Sequence, residues 1–172
     1  MVVRPVRPVR ALVWAPAVAG LACAVLAGCG QAAARNTAAA GGAVVCADPT
    51  HVDRLTLSRT NTNPERFTFP AEIAITGPQQ ARSVARALCQ LPVMPPGVFH
   101  CPEDFGISYR LDLVTSGHTL IPVHVQASGC QNVYGLGPVR WIARTPAFWR
   151  VLGKAAGLSH ASHSTFSGTL AS

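Results

Sequence analysis

Three titratable side chains lie close together in the stretch FHCPEDF, namely His100, Glu103 and Asp104. Two carboxylates beside an imidazole can bind a metal ion or share a proton in acid–base chemistry. The simpler interpretation is that neighbouring acids in a loop point apart into solvent. We therefore predict no metal site here, and this cluster supports an enzyme hypothesis only if the three side chains converge.

Sequence motifs for other chemistries are missing. The chain has no G-x-S-x-G turn for a serine nucleophile, no H-E-x-x-H zinc motif and no glycine-rich phosphate loop. His160 and His163 could share a helical face as a metal pair, but their serine-rich surroundings favour a solvated tail. The sequence therefore predicts a protein that is not an enzyme and that holds no cofactor.

The charge pattern argues against a nucleic-acid partner. The chain has 14 Lys and Arg against 7 Asp and Glu, and its arginines are scattered along the sequence. Nucleic-acid-binding proteins show a clustered basic footprint instead. The bias towards Arg, Gly and Pro is typical of a high-GC actinobacterial genome.

The N-terminus has the three parts of a secretory signal. Three arginines without an acid precede 18 uncharged residues, and the last three of these form the stretch LAGC together with Cys29. LAGC resembles the bacterial lipobox, whose cysteine receives a diacylglyceryl lipid and becomes the first residue. We therefore predict a signal peptide over residues 1–28, a lipid on Cys29, and a protein anchored at the extracytoplasmic face of the cell membrane.

Two other interpretations of the N-terminus stay open. The apolar run could remain as an uncleaved membrane anchor, or an ordinary peptidase could cut near Ala34. Both also place the protein outside the cytoplasm. Residues 30–45 are small, almost uncharged and without hydrophobic periodicity. We therefore predict that residues 29–45, from the lipidated cysteine onward, form a flexible tether.

Four cysteines follow Cys29 and predict two disulfides, because an even number in an exported chain is typical of a disulfide framework. Residues 107–113 and 121–127 alternate between apolar and polar, which indicates a β-hairpin. Matching the inward faces pairs residue 113 with 121 and residue 109 with 125. This register favours a Cys101–Cys130 bridge, from which Cys46–Cys89 follows. A Cys89–Cys101 pairing, which closes a short loop, stays the alternative.

The remaining elements complete an α+β fold. We predict strands over residues 52–60 and 69–76, a helix over residues 77–91 with Thr76 as its cap, and a short C-terminal helix with Phe148, Trp149 and Leu152 in the core. The expected architecture is an antiparallel sheet of about four strands, with one helix between hairpins and a C-terminal helix. The disulfide-bonded domain covers residues 46–158, and residues 159–172 are predicted to be a disordered tail.

Two resemblances to known proteins add to this interpretation. The stretch LCQLPVMPPGVFHCPEDFGISYRLDL, followed by GC and FWRVLG, resembles a group of actinobacterial secreted or lipoprotein sequences of unknown function. A Cys-Pro pair before a hairpin, with a cysteine 29 residues later, is similar to the Streptomyces subtilisin inhibitor family.

The second resemblance implies a mechanism. In that family the loop after Cys-Pro presents its specificity residue to a secreted serine protease. Carried over by motif, Glu103 takes that role, with Cys101 and Pro102 before it and Asp104 after it. The bridge would hold such a loop in a preorganised form, which lowers the entropic cost of binding.

This chain also differs from the inhibitor family. The specificity residue there is neutral or basic, whereas Glu103 is acidic, and Cys46 and Cys89 do not match the family's other bridge. The sequence therefore predicts a non-enzymatic, lipid-anchored protein that binds another protein or an envelope component. The alternative is a serine protease inhibitor that acts through residues Cys101, Pro102, Glu103 and Asp104.

Overall fold

The computed structural model describes residues 41–60, 66–102 and 104–168. The strands are β1 (Val52–Arg59), β2 (Glu72–Ile75), β3 (Ser108–Thr115), β4 (Leu120–Gln126), β5 (Asn132–Tyr134) and β6 (Arg140–Trp141). The helices are α1 (residues 41–47), α2 (Pro78–Gln90), α3 (Ala147–Ala155) and α4 (His163–Ser167), with a 3-10 turn at Pro49–His51. Within these ranges, no helix has the length and hydrophobicity needed to cross a bilayer.

The strands form one antiparallel sheet in the order β2-β1-β3-β4-β5-β6. The predicted α+β class and antiparallel sheet are therefore confirmed, and so is the hairpin register, because 113 pairs with 121 and 109 with 125. The prediction of about four strands is wrong. The two further strands contain only three and two residues, which is too short for an alternating pattern to mark them.

All the helices pack on one face of this sheet. The inner face is lined by alternate residues of the central strands, including Leu57, Leu111 and Val123, and these are fully buried. The helices α2, α3 and α4 contribute buried side chains to the same core: Ala81, Val84, Ala85, Leu88, Phe148, Trp149, Leu152 and Phe166. The opposite face of the sheet is partly polar and includes Arg54 and His124. The protein is thus a two-layer structure.

The ends of α2 are held by groups that the sequence pattern does not reveal. Its N-cap is Gly77 without a side-chain hydrogen bond, so the prediction of Thr76 as cap is wrong. At its C-terminus, Nη1 of Arg140 donates hydrogen bonds to the carbonyl oxygens of Cys89 and Leu91, both at 2.8 Å. A cation at this end of a helix also interacts favourably with the helix dipole.

The folded part extends beyond both predicted boundaries. The sequence predicts that residues 41–45 are part of the flexible tether, but they belong to α1, and Val45 is buried. The helix packs so closely that a Cβ on Gly42 would lie 1.8 Å from the Gly135 carbonyl oxygen. The disordered tail is also a wrong prediction over residues 159–168, because these contain α4, and Phe166 is fully buried. Cys29, with the rest of residues 1–40, lies outside the described residues.

Candidate binding loop

The segment that carries the predicted site connects α2 to β3. Its first residues run beside β6, where Val93 forms an antiparallel bridge with Arg140 and the Met94 N–H donates to the Val139 carbonyl oxygen at 2.8 Å. The chain then leaves the sheet edge over residues 98–106, which we call the Cys101 loop, and enters β3. The sheet therefore holds this loop at both of its ends.

A disulfide holds the loop in the middle. Cys101 is bonded to Cys130, with their Cα atoms 4.9 Å apart. Cys46 is bonded to Cys89, with a Cα separation of 5.2 Å. Both predicted pairs are therefore present, and the alternative Cys89–Cys101 pairing is not. The Cys101–Cys130 bridge fixes the loop to the segment that follows β4, and the Cys46–Cys89 bridge fixes α1 to α2.

The Asp104 carboxylate provides a second attachment. Its Oδ1 accepts hydrogen bonds from the Ser128 hydroxyl and from the Gly106 N–H at 2.9 Å. The Ser128 hydroxyl oxygen in turn accepts from the Ile107 N–H at 3.2 Å. These hydrogen bonds hold the pKa of Asp104 below its ordinary value, and the bond from Ser128 has the largest effect. Desolvation raises the pKa, but its effect is weaker.

A glycine makes room for this attachment. A Cβ on Gly129 would lie 3.0 Å from Cγ of Asp104, and the residue has a φ of 62°, in the left-handed region that favours glycine. Any larger residue would therefore displace the carboxylate and strain the backbone. Ser128 and Gly129 are site residues that the sequence analysis missed. Their one signal is the dipeptide Ser-Gly directly before Cys130.

The fixed loop presents apolar groups to solvent. The Val98 side chain is 94% exposed and that of Phe105 is 44% exposed, whereas Phe99 is half-buried with its ring 5.3 Å from that of Trp141. Pro102 is also exposed. Glu103, the predicted specificity residue, lies outside the described residues. The described residues on either side of it are held by the bridge and by the Asp104 hydrogen bonds.

A small cavity of about 120 Å³ lies behind the loop. Its walls come from the loop, from the segment after β4 and from α4: Pro102, Phe105, Ala127, Ser128, Gly129, Gln131, His163 and Ser167. Nε2 of His163 is hydrogen-bonded to the Ala127 carbonyl oxygen at 2.7 Å. This bond links α4 to the segment after β4, so His163 has a structural contact that the tail prediction did not include.

The other sequence candidates are not brought together as a metal site. Within residues 41–60, 66–102 and 104–168, no group of three or more His, Cys, Asp and Glu side chains is placed to hold a metal ion. His160 lines a separate groove beside α3, whereas His163 lines the cavity behind the loop. The Asp104 carboxylate is engaged by Ser128 and Gly106. The loop geometry is therefore that of an anchored, exposed segment.

Comparisons of the chain with protein families, with curated proteins and with solved structures find no match. Both resemblances stated above therefore stay predictions.

Proposed function

We propose that this protein is an exported lipoprotein, anchored to the extracytoplasmic face of the cell membrane through Cys29, that binds another protein through the Cys101 loop. The lipobox-like stretch after an apolar run supports the anchor. The disulfides fit this location, because they persist in oxidising compartments. The proposed role is non-enzymatic.

One observation carries the binding proposal: the loop is fixed between its two exposed apolar residues, and the sheet holds both of its ends. Val98 precedes the Cys101–Cys130 bridge, and Phe105 follows the carboxylate that is bonded to Ser128. Holding a segment in one conformation before binding lowers the entropy lost on association. Aromatic side chains are also enriched where proteins meet. A restrained loop with exposed apolar side chains therefore has the properties of a contact element.

Site-specific photo-crosslinking in living cells tests this proposal. A photoreactive amino acid replaces Val98, and in a control strain it replaces Leu120. Leu120 is an aliphatic residue that is also exposed (53%), but it begins β4 opposite Val114, at the end of the β3–β4 hairpin that is farther from the loop. We expect a discrete adduct of defined mass from position 98 and none from position 120. The same adducts from both positions, or none from position 98, would contradict the loop assignment.

Inhibition of a serine protease is the second candidate, and the restraints on both sides of Glu103 favour it. The resemblance to the subtilisin inhibitor family places the specificity residue at this position. The test titrates the oxidised protein against serine proteases of different specificity, including a glutamate-selective enzyme. Stoichiometric inhibition that is lost in Glu103→Ala and kept in Glu72→Ala, an exposed glutamate on β2, would support inhibition. A folded, uncleaved protein that inhibits none of them would count against it.

A further inference from the structure

The acidic and basic residues of this chain are unevenly distributed. All seven Asp and Glu lie at or before Asp112, whereas basic residues continue through Lys154. The two long helices contain no acid at all. Of their basic side chains, Arg82 is paired with Asp53 at 2.8 Å, and Arg86, Arg150 and Lys154 are exposed. The outer surface of the helical layer is therefore positively charged.

Two of these side chains border a groove of about 460 Å³. Arg150 and Lys154 lie one turn apart on α3, and the segment of residues 157–161 that follows the helix forms the other wall, which includes His160. Neither Arg150 nor Lys154 forms an ion pair or hydrogen bond with any residue that the structure describes. Their charges are thus available to an external anion.

The groove lies in the same layer as the entry point of the chain. The described part begins with α1, where a Cβ on Gly41 would lie 3.3 Å from the Ile121 side chain on the inner face of the sheet. The Cys46–Cys89 bridge then joins the segment that follows to α2. The described part of the chain therefore begins on the helical side of the sheet, and the proposed lipid anchor precedes it in the sequence.

We propose that the groove of Arg150, Lys154 and His160 binds the phosphate of an anionic lipid headgroup and so holds the helical layer against the membrane. Guanidinium and ammonium groups are the usual protein partners of phosphate. A surface of anionic lipid also attracts basic side chains close to it. The choice of a lipid phosphate rests on the proposed membrane anchor. The charge complementarity between the groove and a phosphate does not depend on that anchor.

The chain offers a direct probe, because Lys154 is its single lysine among 14 basic residues. An amine-reactive ester followed by peptide mapping therefore measures the exposure of this one side chain. The full chain is purified in detergent and reconstituted with vesicles of phosphatidylcholine alone or of phosphatidylcholine with phosphatidylglycerol. A third arm contains phosphatidylcholine vesicles and inorganic phosphate. Sedimentation with the vesicles reports the anchor separately.

We expect the labelling rate of Lys154 to fall about fivefold in the anionic vesicles, since one basic side chain gains about that factor near such a surface. Arg150→Gln should weaken this protection, whereas Arg54→Gln, on the opposite face of the sheet, should keep it. High salt should remove the protection by screening. Equal labelling in both vesicle types, with the chain sedimenting in both, would overturn the groove proposal and leave the anchor intact.

The remaining outcomes are also decisive. Protection by inorganic phosphate that equals protection by anionic vesicles would make the groove a site for free phosphate and overturn the lipid assignment. A chain that sediments only with anionic vesicles, with Lys154 protected, would support the groove and contradict the anchor. A chain that sediments with neither vesicle and shows no protection would contradict both.

Discussion

Replacing Phe166 by Ala should destabilise the protein strongly, although the residue lies in a segment that the sequence predicts to be disordered. Its side chain is completely buried, and its ring lies 5.6 Å from that of Tyr109 and 5.2 Å from that of Trp149. Truncating a buried Phe to Ala costs about 3–5 kcal/mol. A domain of this size is stable by about 5–15 kcal/mol in total. The variant should therefore lose a large part of its free energy of unfolding.

The backbone contact of Phe166 survives this substitution. The Tyr109 hydroxyl donates to the Phe166 carbonyl oxygen at 2.7 Å, and alanine keeps that oxygen. Burial raises the pKa of this phenol, so the hydroxyl remains a donor at neutral pH. The measured loss thus reports the side chain.

Urea unfolding of the oxidised protein, followed by tryptophan fluorescence, measures the effect of Phe166→Ala. The matched control is Phe105→Ala, because Phe105 is 44% exposed on the Cys101 loop. Substitutions at exposed positions usually change stability by less than about 0.5 kcal/mol. If Phe166→Ala changed the free energy of unfolding no more than Phe105→Ala does, the packing of α4 against the core would be refuted.

Three further predictions concern separate parts of the chain. Gly153→Ala should destabilise α3, because the new Cβ would lie 2.0 Å from Cβ of Ala161. Overpacking of this kind costs about 1–3 kcal/mol, which opposes a gain of about 1 kcal/mol in helix propensity. Equal or higher stability of this variant in urea unfolding would count against the prediction. Cys29→Ala should abolish the mass increment of a diacylglyceryl lipid, and no chain from which the signal peptide has been removed should be released. An unchanged lipid mass in this variant would place the anchor at another residue. Because hydrogen bonds to Asp104 depress its folded pKa, the stability that it contributes is present above its unfolded pKa of about 3.9 and is lost as the pH falls through the lower folded pKa. The free energy of unfolding of wild type minus that of Asp104→Asn should therefore decrease from pH 6 to strongly acid solution, and a constant difference would contradict the assigned hydrogen bonds.

The hairpin and its disulfide could be predicted because their signals are local. β3 and β4 contain eight and seven residues, enough for a clear alternation whose inward faces fix the register. Once Tyr109 is placed opposite Val125, Cys130 lies near the residues that follow Cys101. Cys46 and Cys89 are then the two cysteines that remain of the four, so the second pair follows.

The terminal segments could not be predicted, because single apolar residues there are ordered by contacts distant in sequence. Val45 follows a stretch of small residues, and Phe166 stands among serines and threonines. Neither pattern has a period, and each side chain becomes buried only through residues far along the chain, as Phe166 does against Tyr109. Composition alone therefore indicated a tether and a tail.

The candidate site was predicted only in part for a similar reason. The residues of the Cys101 loop stand together in the sequence, so the loop itself could be identified. The groups that hold it, Ser128 and Gly129, lie beyond the hairpin. Serine and glycine are common in turns, and nothing local indicates that this pair accommodates a carboxylate.

The proposal that the restrained Cys101 loop is the contact element can be tested by the adduct yield from a photoreactive residue at position 98. The yield is compared between the otherwise unchanged chain, Asp104→Ala and Asp112→Ala. Asp112 is a matched control, because its carboxylate also accepts hydrogen bonds, from Arg110 on the strand β3. We expect a several-fold lower yield in Asp104→Ala and an unchanged yield in Asp112→Ala. An adduct that forms equally well in Asp104→Ala would contradict the proposal.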